Sequence, residues 1–333
     1  MRAMILSGFK LAEQKPLELR EVEQPVPGPY EIVIKISYCG VCHTDLHMIE
    51  GELAGISLPR IPGHQVVGTV EKVGEKSSLF QRGDRAGVAW LWSACGKCAF
   101  CRSGRENLCL GAKFTGYHVD GGYAEYIAVP EAFAYELPED FSDEQAAPLL
   151  CAGIIGYRAL RLSRIKPGEK LGLFGFGASA HVTIQVARHW GCRVYVFSRS
   201  EEHRKHALEL GAYWVGAPDE KPSDKLESAI VFAPAGEVAR QALSVIDRGG
   251  TVAVAGIYMT PIPQLNYEKE LYFEKALKSV SNATRQDGVE FLKIAAEIPV
   301  KTDIQVYPLE KANEALLDVK LSRINGAAVL KIG

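Results

Sequence analysis

The sequence predicts an α/β protein in two parts: a doubly wound parallel-sheet domain and a second, mainly antiparallel β domain. Three observations predict it. Residues from about 1 to 150 are dense in short apolar runs separated by Pro and Gly clusters, such as Pro25-Val26-Pro27-Gly28-Pro29. From about 153 to 283 strand-like runs alternate with segments of helical length. One of those strands ends in the glycine turn Gly175-Phe176-Gly177-Ala178-Ser179-Ala180, which opens a helix.

The elements follow in order. Met1 to Leu6 reads as a first strand, and Glu31–Ile36 and Gln65–Val70 as further strands of the β-rich part. In the alternating part, Lys170–Gly175 is a buried strand. Ala178–Trp190 follows as a helix with Val182, Val186 and Trp190 along one face. Arg193–Phe197 is the next strand, followed by a charged helix over Glu201–Leu210. Ala229–Phe232 and Gly250–Gly256 belong to two further strand–helix units. Gly288–Glu297 and Lys311–Val319 read as helices, and Ala327–Lys331 as a last strand. Periodicity alone leaves open whether this final stretch closes the second domain or returns to the first.

Bulk properties narrow the function. A chain of 333 residues with 47% hydrophobic and 23% charged residues suits two ordinary globular domains. A net charge of -2 and no Lys/Arg-rich run argue against nucleic acid as a partner. No apolar stretch approaches the roughly 20 residues of a membrane span, and the N-terminus is too short for a signal sequence. A cytoplasmic location is the resulting expectation. There the eight cysteines are better read as ligands, nucleophiles or core residues than as disulfides.

Four of them form a tight series. Cys95, Cys98, Cys101 and Cys109 are spaced C-x2-C-x2-C-x7-C, and four thiolates complete a closed tetrahedral shell of the kind that holds structural zinc. An iron–sulfur run has a shorter last gap and a following Pro. Three further segments are ambiguous singly: Cys39-Gly40-Val41-Cys42-His43-Thr44-Asp45-Leu46-His47, Pro62-Gly63-His64-Gln65-Val66-Val67-Gly68, and Pro148-Leu149-Leu150-Cys151-Ala152-Gly153. Taken together, two thiolates and an imidazole leave a fourth zinc position open.

With these motifs in this order, the chain resembles the zinc-containing medium-chain alcohol dehydrogenase family over essentially its whole length. It is especially similar to the bacterial and archaeal branch carrying G-H-Q-V-V-G. The resemblance implies a GroES-like catalytic domain over 1–152, a Rossmann cofactor domain over 153–283 and a segment over 284–333 returning to the catalytic domain. It also implies two zinc ions per subunit, a small alcohol or aldehyde as partner, and a homodimer or homotetramer. By the same resemblance Cys42, His64 and Cys151 are the catalytic ligands. Thr44 relays the substrate proton, His47 passes it towards solvent, and Asp45 accepts a hydrogen bond from His64. Cys39 falls at a packing position, and Gln65 replaces the family's usual Glu, removing a negative charge near the metal.

The glycine turn carries the cofactor reading. Gly175 allows the tight turn, Gly177 lets the backbone approach a pyrophosphate at the helix N-terminus, and Ala180 stands where a third glycine often does. The acidic residue expected about 20 positions on is missing. The strand ends instead in Ser198-Arg199-Ser200, whose hydroxyls and guanidinium suit a 2′-phosphate, with Arg204 assisting. NADP(H) is therefore favoured over NAD. Family members often have a Thr near the nicotinamide where this chain has Ile155. They also carry a late Arg at the cofactor phosphates, where this chain has Gly326-Ala327; Arg285 is a candidate substitute. Trp90 and Trp92 are read as lining the substrate entrance, favouring small to medium apolar alcohols or aldehydes, with core packing as the alternative. A polyol dehydrogenase would have Glu in place of Cys151, and a zinc-free reductase would lack Cys42 and Cys151. A zinc-ribbon interaction module would need neither that set nor the glycine turn.

Overall fold

The computed structural model describes residues 1–333. The chain forms two compact units: Met1–Cys151 with Thr284–Ala296 and Lys301–Gly333, and Ala152–Ala283 with Glu297–Val300.

The first unit begins with β1 (Arg2–Leu6), β2 (Leu17–Glu21), β3 (Glu31–Val41) and the short helix α1 (His43–Ile49). It continues through β4 (Val66–Val73), β5 (Arg85–Val88), β6 (Leu91–Ser93), α2 (Ala99–Arg102) and β7 (Lys113–Phe114). β8 (Tyr126–Pro130), β9 (Ala134–Glu136) and α3 (Asp143–Ala146) complete this stretch. The second unit holds α4 (Ala152–Ser163), β10 (Lys170–Phe174), α5 (Ala178–His189), β11 (Arg193–Phe197), α6 (Glu201–Glu209) and β12 (Trp214–Gly216). β13 (Leu226–Val231), α7 (Gly236–Val245), β14 (Ile246–Val254) and β15 (Ala276–Ser279) follow. The chain then adds α8 (Arg285–Glu297), β16 (Ile304–Pro308), α9 (Ala312–Lys320) and β17 (Ala327–Lys331), nearly all of it in the first unit.

The long strand β3 organises the first unit. It pairs antiparallel with β4, β8 and β17, within a seven-stranded sheet that runs β16-β17-β3-β4-β5-β9 with β8 attached to β3. Ile32, Ile34 and Ile36 of β3 are fully buried beside Val66 and Val70 of β4. Each such side chain stabilises the fold by about 1.5–3 kcal/mol. The strand runs past Ile36 because Cys39 and Val41 are also buried and keep their pairing. Its far end matters most: Cys39 lies opposite Val66, and Gly40 N–H donates to the Gln65 carbonyl at 2.9 Å. The pairing of β3 with β4 thus brings Cys42 and His64, 22 residues apart, to the same sheet end.

The second unit is the doubly wound part. Its six strands are parallel in the order β12-β11-β10-β13-β14-β15, so the strand order reverses between β10 and β13. That reversal is the topological switch point where such sheets bind ligands. Leu171, Gly172, Leu173 and Phe174 of β10 are all buried, as expected for a central parallel strand covered on both faces. Phe174 stacks on Phe197 of β11 with centroids 4.0 Å apart. The α/β class and both sheet types read from the sequence are thereby borne out. No helix is long and apolar enough to cross a membrane.

Candidate active site and its second metal centre

Cys42 stands at the junction of β3 and α1. As the helix N-cap, its Sγ accepts the Thr44 N–H at 3.3 Å, while its own N–H donates to Asp45 Oδ2 at 3.1 Å. This reciprocal cap fixes the thiol's direction and draws the Asp45 carboxylate beneath it. Asp45 is fully buried, and its Oδ1 also accepts from Gly63 N–H at 3.2 Å and His64 Nδ1 at 3.1 Å. The proton of His64 is therefore on Nδ1, leaving Nε2 as the coordinating atom. That Nε2 lies 3.4 Å from Cys42 Sγ. Cys151 follows a single 3-10 turn over Ala147–Leu150 and completes a set of donor atoms all within 4.8 Å of one another.

These distances test the metal. Zinc–sulfur and zinc–nitrogen bonds of ordinary length, placed tetrahedrally, put S and N about 3.6 Å apart and two sulfurs about 3.8 Å apart. The Cys42–His64 separation matches the first. Electrostatics agree: the neighbouring Cys151 thiol, together with His64, holds Cys42 well below the usual thiol range. Burial would lower His64, yet the Asp45 carboxylate and the Cys42 thiolate outweigh it and push it up to about 10. Positive charge is thus favoured beside the Cys42 thiol, which is the charge a bound metal ion would bring. Three donors leave one coordination position open.

The four-cysteine lobe passes the same test for a closed shell. Cys98 and Cys101 sulfurs are 3.5 Å apart and those of Cys95 and Cys101 3.9 Å, the edges of a tetrahedron around one ion. Cys98 N-caps α2 by accepting Cys101 N–H at 3.5 Å, and Cys95 N–H donates to Cys109 Sγ at 3.5 Å. The backbone N–H groups of Lys97 and Cys98 bring the Cys95 thiol to about 6.

Other predicted residues separate into two groups. Cys39 is buried, its Sγ donating to Gly40 O at 3.6 Å, which is a packing role. Trp90 stands edge-on to His64, centroids 4.9 Å apart, and stacks on Phe114 with Tyr117 beside it. Trp92 turns the other way: its Nε1 donates to Ala128 O at 3.1 Å and its ring packs on the core, so the entrance reading is corrected to a packing one. Trp90 lies in the bend just before β6 and Trp92 within the strand, so the two-residue repeat of a strand does not hold both rings on one side. Gln65 is buried with no hydrogen-bond partner for Nε2, and its carboxamide packs on Gly40. Sequence reasoning missed Phe114 and Tyr117, which only the β6–β7 pairing brings to Trp90.

In the second unit Gly175 takes φ +89 after β10, and α5 begins at Ala178 with Gly177 as N-cap. A side chain at Gly177 would meet nothing within 4 Å, so the space before the helix N-terminus is open for a phosphate. Phe176 and Ala180 are buried, which fixes the turn from both sides. Ser198 Oγ accepts Ser200 N–H, Ser200 Oγ caps α6, and Arg199 is exposed. Arg204 Nη1 donates to Ser198 O at 2.6 Å and to Arg199 O at 3.2 Å, so it braces the turn. Arg285 is employed elsewhere. It pairs with Glu106, donates to Ala132 O and lies 4.6 Å over the Phe133 ring, all within the first unit. The guanidinium expected at the cofactor phosphates is tied down there, 179 residues from its acidic partner.

Residues 28–139 match the family described as the alcohol dehydrogenase GroES-like domain, and residues 180–297 that described as zinc-binding dehydrogenase. The chain belongs to the zinc-containing alcohol dehydrogenases. A protein of Mycobacterium tuberculosis named "Probable alcohol dehydrogenase AdhA" is 47% identical over 95% of this chain and 93% of its own. An alcohol dehydrogenase of Geobacillus stearothermophilus is 37% identical over the full length of both. Among solved structures, the cobalt- and zinc-bound thermostable alcohol dehydrogenase of Pyrobaculum aerophilum superposes with TM-score 0.91 at 27% identity, covering 99% of each chain. This alcohol dehydrogenase is accordingly a zinc-binding medium-chain oxidoreductase that acts on alcohols.

Proposed function

We propose that this dehydrogenase carries two zinc ions per chain, a catalytic one on Cys42, His64 and Cys151 and a structural one on Cys95, Cys98, Cys101 and Cys109. The observation that carries the reading is the contrast between the two donor sets, one of three atoms and one of four, each compact enough for a single ion. When bound, the catalytic metal supplies Lewis acidity that lowers the pKa of an alcohol oxygen. A nicotinamide held at the glycine turn of Gly175 and Gly177 would supply the hydride-accepting chemistry. The chain's own residues do the rest. Asp45 holds the His64 ring by Nδ1, Thr44 offers a hydroxyl at the start of α1, and His47 lies one turn further on the same helix. The alcohol proton leaves through the Thr44 hydroxyl to His47 and then to solvent.

Trp90 supports a substrate class. Its ring flanks His64 and is backed by Phe114 and Tyr117, which makes the wall beside the ligand apolar and stiff. Small to medium apolar alcohols suit that wall. Trp90→Ala is expected to raise KM for such alcohols about tenfold, since one aromatic contact contributes roughly 1.5 kcal/mol. It should also improve turnover of bulkier ones. An unchanged alcohol profile in steady-state assays would remove Trp90 from the pocket.

Ser198 and Arg199, with no acidic residue at the strand end, support NADP(H) over NAD, and Phe176, Ala178 and Ser179 shape the pyrophosphate turn. The deciding experiment is a spectrophotometric panel of alcohols and aldehydes with both cofactors. It is run on the wild type and on Arg199→Asp, which should shift preference towards NAD. A preference ratio unmoved by that substitution would count against a 2′-phosphate site. The cytoplasm and a homodimer or homotetramer complete the reading, the latter checked by light scattering.

A further inference from the structure

The end of α1 places a carboxylate on the relay histidine. Gly51, at φ +76, is the first residue beyond the helix cap. Its N–H donates to Met48 O at 3.1 Å, and the Glu52 N–H donates to His47 O at 3.0 Å. These two bonds are the paired closure in which a left-handed glycine folds the chain back over the last turn. That closure brings the second residue after the cap near the one three positions before it, and a hydrophobic contact frequently fills the place. In this chain the two residues are Glu52 and His47, and the Glu52 carboxylate accepts a hydrogen bond from His47 Nδ1. His47 is largely enclosed, its side chain 12% exposed, while Glu52 at 37% reaches solvent.

We propose that Glu52 is a positioning residue of the proton relay, holding the His47 ring in the tautomer and orientation that put the proton-accepting lone pair on Nε2. The inference rests on the relay reading of Thr44 and His47 given above. With the proton on Nδ1 donated to Glu52, the lone pair of the neutral imidazole is on Nε2. The alcohol proton passes to the Thr44 oxygen as the Thr44 proton passes to Nε2. The resulting imidazolium keeps both N–H bonds, with Glu52 still ionised beside it, and releases the new proton to water. Glu52 itself is never protonated, as with the orienting carboxylate of a catalytic triad. Its partial exposure limits the electrostatic part of the effect, so orientation carries most of it.

The test is a double-mutant cycle read by the single-turnover rate of NAD(P)H formation, which cofactor release cannot mask. Glu52→Ala is expected to slow that rate roughly tenfold, less than the about 10²–10⁴-fold that a general acid–base group itself supplies, because Glu52 acts only through the ring. KM for the alcohol and zinc content should stay at wild-type values. Glu52→Gln, which keeps an acceptor for Nδ1, should recover most of the rate. In a His47→Gln background Glu52→Ala should have no further effect, because it acts only through the ring. Additive losses, or a full rate in Glu52→Ala alongside a damaged His47→Gln, would overturn the role of Glu52 and leave the relay standing. A full rate in His47→Gln would overturn the relay itself, and the inference with it.

Discussion

Cys42→Ala is expected to reduce alcohol oxidation by at least about a thousandfold while leaving both sheets folded. Metal-assisted stabilisation is worth several kcal/mol, and each 1.36 kcal/mol is tenfold in rate, so losing the ion loses about three powers of ten. The fold survives because the thiol contributes little packing. It lies at the end of β3, whose ladders to β4, β8 and β17 do not involve it beyond the cap of α1. Losing that cap costs about 1 kcal/mol. His64→Ala should be equally inactive but less stable. It leaves the fully buried Asp45 with only the N–H groups of Cys42 and Gly63, and breaking one side of a buried pair costs about 3–5 kcal/mol. Metal analysis should find one zinc fewer in each variant, with circular dichroism unchanged. Oxidation retained by either variant would refute the catalytic assignment.

What the sequence made legible was whatever is encoded within a few residues. The cysteine spacing constrains its own geometry, since a loop that short keeps its four sulfurs together. The glycine turn likewise shows itself, because only a strand before it and a helix after it give Gly175 and Gly177 their purpose. Longer-range relations were not legible. Nothing local says that Arg285 meets Glu106, or that Trp92 turns to Ala128 while Trp90 turns to His64. Those depend on which strands pair. Cys42, His64 and Cys151 fall between the two cases. Each is ambiguous alone, and the register of β3 on β4 that joins the first two became visible only with the sheet. The contact of Glu52 with His47 did have a local signal, the glycine after a short helix with His47 three residues before the cap. Reading it requires knowing where the helix ends, and helix ends are set within a residue or two only by the folded structure.

Cys98→Ser is expected to remove the second zinc and to lower the melting temperature by on the order of 10 °C, as loss of several kcal/mol does in a chain of this size. The lobe has little else to hold it. Cys95, Gly96, Lys97 and Ala99 are exposed, and α2 has only four residues, too few for a helix to persist unaided. Serine at position 98 can still cap α2, but its oxygen is a poorer zinc ligand than a thiolate. Three remaining cysteines cannot close the shell. The damage should travel. Glu106, buried just before Cys109, accepts both the backbone N–H of Arg285 at 3.0 Å and its guanidinium, so the lobe fastens the first turn of α8. Hydrogen exchange should therefore quicken at residues 95–109 and again at 284–288, with the second unit unaffected. A variant that keeps two zinc ions per chain, or melts within a degree or two of the wild type, would show that ordinary packing holds this lobe. The four thiols would then need another explanation, because their spacing of 3.5 to 3.9 Å places sulfurs against one another with no apolar surface gained.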